Sequence, residues 1–153
     1  MIYTISNIKK TSILIGIAVF LLTIDRFLKI IAINGLLDQP INYISDIFRL
    51  YFVKNYFIAF SLPINNLVAT VISLLIICFL IISVIYFTKK QRFVTIGFLF
   101  LILAGASSNL FDRLKYGYVV DYLDLKYFTV FNLADAMIVL GVIGLLLFIN
   151  KKY

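Results

Sequence analysis

Four apolar runs of about twenty residues each, near residues 13–33, 67–87, 93–111 and 133–149, dominate this chain. A helix needs about 20 apolar residues to cross the hydrocarbon core of a bilayer. Helix is also the form in which a single segment satisfies its own backbone in lipid. Of the 153 residues, 63% are hydrophobic, and the mean hydropathy is +1.09. A soluble domain of this length has too little interior to hide so much apolar surface. The sequence therefore predicts an all-α membrane protein: one integral-membrane domain over residues 1–153, with four transmembrane helices.

The first run resembles a signal peptide at its start, because Lys9 and Lys10 precede the apolar residues. It continues through Asp25, Arg26 and Lys29 without a small-x-small cleavage site, so it is read as a retained helix. Lys9 and Lys10, then Lys89, Lys90 and Arg92, then Lys151 and Lys152 flank alternate helix ends with no acid among them. The positive-inside rule places these ends in the cytoplasm. Both termini are then cytoplasmic, and the 34–66 and 114–131 loops face outward.

The first outer loop contains YISDIFRLYFVKNYFIAFSL at residues 43–62, interrupted by Asp46, Arg49 and Lys54. Aromatic and β-branched residues suit strands. A small extracytoplasmic sheet lying on the membrane is expected here, the alternative being an irregular interfacial loop. Lys54 reads either as the guard of a strand edge or as part of a peptide-binding loop with Asn55.

Composition removes several kinds of chemistry. The net charge of +7 sits at the ends of apolar runs and not along one polar face, so no nucleic-acid partner is expected. There is no histidine, all seven acids are Asp, and Cys78 is the sole cysteine. A Ser-His triad, a histidine metal site, a multi-cysteine zinc site and an internal disulfide are all excluded. Cys78 reads as a small apolar filler. Ser107 and Ser108 invite a Ser–Lys nucleophile, but Ser107 has no suitably placed lysine in sequence, and serines in a membrane helix read as packing residues.

Four of the seven acids fall within residues 105–135, GASSNLFDRLKYGYVVDYLDLKYFTVFNLAD, between two membrane-length runs. Charge in such a setting must be solvated, paired or functional. Asp135 follows Asn132 by three residues, the spacing of a helix capping box, and Asp121 taken alone could be a solvated loop residue. Considered together, both lie in apolar context on the outer side, joined by a short loop. Two close carboxyl groups share a proton, which gives a base for water and an acid for a leaving amine. Asp135, near a helix N-terminus, would be the favoured charged member. Asn109 and Arg113, four apart, share a helix face with Asp112 nearby. They read equally as a snorkelling helix end or as a strut for the acids. Asp25 and Lys29, also four apart, read as a self-neutralising pair that orients the first helix.

These motifs occur together in a recognisable order. N-x-x-D-R at 109–113, V-V-D-Y at 119–122 and F-N-L-A-D at 131–135, with D-x-x-x-K at 25–29 and N-x-x-x-A-F at 55–60, resemble the bacterial prolipoprotein signal peptidases (signal peptidase II). The similarity spans almost the whole chain. The resemblance implies four transmembrane helices with an extracytoplasmic β-cradle and a short external helix. It implies an aspartic endopeptidase of the bacterial cytoplasmic membrane, with its active site near the outer face. That enzyme would remove the signal peptide before a diacylglyceryl-modified cysteine. Asp121 and Asp135 would be catalytic. Asn55, Asn109, Arg113 and Asn132 would support them or contact substrate, and Asp25, Lys29 and Asp112 would be polar supports. The partners are then a diacylglyceryl-modified prolipoprotein and membrane lipids. No cofactor or metal is expected, and the protein is expected to be a monomer.

The chain departs from that family at three positions. Phe57 and Ser108 stand where glycine is usual, and Tyr122 where phenylalanine is usual. Two other readings remain open at this level: a non-enzymatic four-helix membrane protein such as a transporter or assembly factor, and a catalytically altered relative that binds lipoprotein precursors.

Overall fold

The structure, a computed structural model, describes residues 2–44, 47–56 and 65–148. In chain order it contains α1 (Ile2–Ile31), β1 (Ile41–Ile44), β2 (Phe48–Asn55), α2 (Asn66–Lys89), α3 (Phe93–Tyr116), β3 (Val119–Leu125) and α4 (Leu133–Phe148). Asp46, Phe57, Lys151 and Lys152, each singled out above, lie outside the described residues.

α3 is the axis of the bundle and packs against α1, α2 and α4. Small residues make this close packing possible, as is usual where helices meet in lipid. A Cβ on Gly105 would meet the Ala134 carbonyl oxygen at 2.4 Å, and one on Gly141 would lie 2.4 Å from Ile102. Away from these seams the helices present apolar side chains outward: Phe20 and Phe27 from α1, Leu75, Phe79 and Ile82 from α2, Leu146 from α4. Cys78 is on this outer face too, not in the interior as its reading as a filler implied.

α2 and α3 are long and apolar enough to cross a membrane, and α4 is a shorter apolar helix. α2 and α3 are joined by a tight link in which Gln91 takes φ 55°, as the short basic loop led one to expect. α1 is longer than its apolar run suggests, with 30 residues. Its helical path continues through a π-wound turn at Ala32–Leu36 and ends where Gly35 adopts φ 84°. The short external helix is absent among the described residues. Residues 57–64, in the connection between β2 and α2, are not among them.

The expected sheet is present, but it is larger than the 34–66 connection alone could make. Its order is β1-β2-β3, antiparallel throughout. The third strand comes from the connection between α3 and α4. β2 is therefore the central strand; Lys54, near its end, pairs with Val120 of β3, beyond the stretch Phe48–Leu50 that pairs with β1. Its ammonium lies 5.4 Å from the centre of the Tyr118 ring.

β3 is VVDYLDL, and its first four residues are buried. One flank pairs with β2. Val120 and Tyr122 pack with Ala32 and Leu37 in a small apolar core beneath the sheet. Gly117, at φ 80° and donating its N–H to the Arg113 carbonyl, ends α3 and turns the chain into β3. That is the usual use of glycine after a helix.

Candidate active site

Two turns of chain bring Asp121 of β3 and Asp135 of α4 together. After β3 the chain reverses, and Phe131 pairs back on Leu123, donating N–H to its carbonyl at 3.0 Å and accepting its N–H at 2.8 Å. The next residue, Asn132, is thereby set beside Asp121, and α4 begins at once.

Asn132 is fully buried and serves both acids. Its side-chain nitrogen donates to Asp121 Oδ1 at 2.7 Å, and lies within 3.3 Å of the Asn109 Oδ1 and Val120 carbonyl oxygens. Its side-chain oxygen accepts the Asp135 N–H at 2.9 Å, while Asp135 Oδ2 accepts the Asn132 N–H at 3.3 Å. The capping box read from the spacing is thus formed. Asp135 is at once the third residue of that cap and a neighbour of Asp121.

Each remaining carboxylate oxygen of the pair has its own amide donor. Asn55, at the end of β2, donates to Asp121 Oδ2 at 2.8 Å. Asn109, from α3, donates to Asp135 Oδ1 at 2.7 Å. Arg113 lies one turn further along α3, with Nη1 3.4 Å from the Asn109 carbonyl oxygen. Its charge acts on both Asp135 and Asp121.

Asp121 is 1% exposed, whereas Asp135 is only partly buried. Burial pushes the Asp121 carboxyl up to about 7, and the negative charge of Asp135 raises it further. The amides of Asn55 and Asn132 and the charge of Lys29 oppose that shift. Desolvation outweighs them because it acts on the whole carboxylate, whereas each amide stabilises one oxygen. Near neutral pH the pair can hold a single proton.

Beneath the pair is a buried ionic cluster built from α1 and α3. Lys29 Nζ lies 2.8 Å from Asp112 Oδ2 and 3.3 Å from Asp25 Oδ2, with all three side chains fully buried. It also donates to Asn109 Oδ1 at 2.9 Å. Arg26 Nη1 meets Asp112 Oδ1 at 2.6 Å, and Asp112 Oδ2 accepts the Val120 N–H at 3.3 Å. Two acids and two bases balance. Among the described residues no buried side-chain N or O atom lacks a partner. Charge of this kind is tolerated away from water only when it is fully paired.

Asp25 and Lys29 therefore do more than neutralise one another along a single helix. Lys29 reaches the amide that holds Asp135. Asp25 Oδ1 accepts the Ala134 N–H at 3.1 Å and the Tyr122 hydroxyl at 2.9 Å, both of which flank the acidic pair in sequence. Burial raises the Tyr122 phenol well above its ordinary range, so it remains a donor.

Three residues were given no supporting role from the sequence. Arg26 looked like one more charge in the first run, Tyr122 like a mild change of an aromatic, and Ser108 like packing. Ser108 in fact donates to Asp25 Oδ2 at 2.5 Å and accepts from Arg26 at 3.2 Å. Only the i+1 position of Arg26 relative to Asp25 could have hinted at its role. On the sheet, Arg49 and Asp124 form a half-exposed cross-strand pair at 2.6 Å. Such pairs contribute little.

Comparison with known proteins gives this geometry a family. The family model for signal peptidase (SPase) II matches residues 5–151. This chain belongs to the signal peptidase II family. It is 36% identical over 138 residues to the lipoprotein signal peptidase of Halothermothrix orenii, covering 89% of this chain and 94% of that protein. It is 38% identical over 128 residues to that of Moorella thermoacetica, covering 83% and 85%. Among solved structures it resembles a bacterial membrane enzyme determined by the in meso method at 2.3 Å resolution. There the TM-score is 0.77 at 23% identity, over 93% of this chain and 94% of that one. A second such structure, at 1.9 Å, gives a TM-score of 0.74 at 25% identity, over 93% and 95%. As a signal peptidase II family member this chain is a membrane peptidase. The polar residues that set its acids in place come from α1, β2, β3 and α3, and from Asn132 just before α4.

Proposed function

We propose that this chain is an aspartic endopeptidase that removes signal peptides from prolipoproteins, cutting before a diacylglyceryl-modified cysteine, with Asp121 and Asp135 as the catalytic pair. The observation that carries the reading is the bridge made by Asn132, which donates to Asp121 and caps the turn that bears Asp135. A buried carboxyl raised to about 7 beside a second, more exposed carboxylate is the arrangement that water-activating acid–base chemistry requires.

In this reading Asp121 holds the shared proton at rest and Asp135 is the charged member. Water adds to the scissile carbonyl carbon as Asp135 takes its proton. Asp121 donates to the carbonyl oxygen, giving a neutral tetrahedral diol. Collapse of the diol breaks the C–N bond. Asp135 passes its proton to the leaving amine, and Asp121 recovers one from the hydroxyl that becomes the new carboxyl group. The pair titrates as a unit, so these are roles within one shared-proton state.

The same reading makes the chain a single four-span domain of the cytoplasmic membrane, with both termini inside and the acids near the outer face. The run of basic residues at alternate helix ends supports this orientation. The substrate enters sideways from the bilayer, with its acyl chains remaining in lipid.

The test is incubation of the purified full chain with a synthetic diacylglyceryl-modified precursor peptide. Cleavage before the modified cysteine is expected, along with its loss in Asp121→Asn and Asp135→Asn and indifference to EDTA. Undiminished turnover by either variant would end the acid-pair reading.

A further inference from the structure

α4 starts without slack. A helix N-terminus leaves its first backbone N–H groups without helical partners, and here each has a specific acceptor. The Asn132 side chain takes the Asp135 N–H, and the Asn132 carbonyl takes that of Ala136. The two other acceptors come from elsewhere in the chain. The Tyr122 hydroxyl oxygen accepts the Leu133 N–H at 3.1 Å, and Asp25 Oδ1 accepts the Ala134 N–H at 3.1 Å.

These two outside acceptors are themselves joined, since the Tyr122 hydroxyl donates to Asp25 Oδ1. The other oxygen of Asp25 accepts the Ser108 hydroxyl. At Tyr122 and Ser108 the resemblance drawn from the sequence implies phenylalanine and glycine. Each residue present brings a hydroxyl that phenylalanine or glycine would not supply, and both hydroxyls end on one carboxylate.

Tyr122 also adjoins Asp121 in β3. Consecutive strand residues point to opposite faces. Asp121 therefore faces Asn55 and Asn132, while Tyr122 reaches the first amide of α4 from the other face. A single peptide unit links the place of Asp121 to the start of the helix that carries Asp135.

We propose that the Tyr122 hydroxyl, tied through Asp25 to Ser108, is a positioning group that fixes the first turn of α4 and so sets Asp135 against Asp121. This rests on the acid-pair reading and deepens it. The hydroxyl touches no reacting atom. It acts by holding the two carboxyl groups in register, where small displacements carry large rate costs.

The experiment is steady-state cleavage of a diacylglyceryl-modified precursor peptide by purified full-length Tyr122→Phe, Ser108→Ala and the double variant, assayed below the melting temperature of each. Tyr122→Phe keeps the buried ring and removes only the oxygen. A fall in kcat of roughly tenfold is expected for Tyr122→Phe and a smaller one for Ser108→Ala, with KM within twofold of wild type. The double variant should differ from the product of the singles by threefold or more, because both hydroxyls act through Asp25. Wild-type kcat in Tyr122→Phe, a loss seen only in KM, or strict multiplicativity would each overturn the proposal. Should Asp121→Asn or Asp135→Asn retain full turnover, it is the acid pair that fails. If those two are inactive and Tyr122→Phe behaves as wild type, the positioning role alone fails.

Discussion

Asn132 and Asp121 are joined by a 2.7 Å hydrogen bond although eleven residues separate them. The Phe131–Leu123 pairing makes this possible by folding the chain back on β3 just before α4 begins. Asn132 thereby serves two ends at once, as donor to one acid and as helix cap for the other.

Asn132→Ala should therefore affect both stability and turnover. Loss of the cap should cost about 0.5–2 kcal/mol, read as a lower melting temperature in detergent. Turnover should fall by two orders of magnitude or more, because the Asp121 carboxyl loses a donor and Asp135 loses its anchored turn. Asn132→Asp tests the two functions separately. It keeps a cap acceptor and removes the amide donor, so stability should suffer less than activity.

The proton of Asp121 predicts the pH dependence. Its folded value, about 7, lies above its ordinary value of 3.8. A raised acid contributes stability that is fully present below the ordinary value and is lost as pH rises through the folded value. Between about pH 4 and 7 the unfolded chain gives up this proton while the folded chain keeps it. Stability should then fall by about 1.4 kcal/mol per pH unit from this group alone. Thermal melts of wild type and Asp121→Asn across pH 4–8 should show a flatter profile in the variant. Cleavage by wild type should decline as pH rises above 7, when the pair loses its last proton.

Lys29→Met removes the ammonium from a fully buried site and leaves the Asp25 and Asp112 carboxylates close to one another with only Arg26 to balance them. Breaking a buried pair in this way costs about 3–5 kcal/mol. Arg49→Gln, which breaks the half-exposed pair with Asp124, should cost no more than about 1 kcal/mol. Melting temperatures of the two variants, measured side by side, check the contrast. Equal effects would mean that the buried cluster is not fully charged.

Gly105→Ala should separate α3 from α4 at the level of the acids. The added carbon would meet the Ala134 carbonyl oxygen at 2.4 Å, and backbone cannot swing aside as a side chain can. Overpacking of this kind costs about 1–3 kcal/mol. Because Ala134 adjoins Asp135, turnover should fall together with stability. Gly16→Ala, where nothing lies within 4 Å, is the matched control and should leave turnover unchanged and stability no lower.

The start of α4 was legible in the sequence to the residue, because Asn132 and Asp135 carry a local capping signal that needs no tertiary information. The helical runs were legible because bilayer solubility imposes composition over twenty residues at a time. β3 was not. V-V-D-Y-L-D-L has no clean two-residue alternation, since the strand is covered on both faces, and its partner is more than sixty residues away. Within the site, the acids stood out because charge in apolar context is costly. Tyr122 and Ser108 did not, because a hydroxyl costs little by itself and its importance depends on which carboxylate it meets.

α2 is the helix that supplies none of the bonds described around Asp121 and Asp135, and its packing is chiefly against α3. Its sequence answers to hydrocarbon and to one seam, while α1, α3, β3 and α4 must also agree with one another atom by atom. Substitutions should therefore accumulate along α2 faster than elsewhere during divergence. That flank of the bundle is where the protein can adapt to bilayers of different thickness or lipid content without disturbing its chemistry.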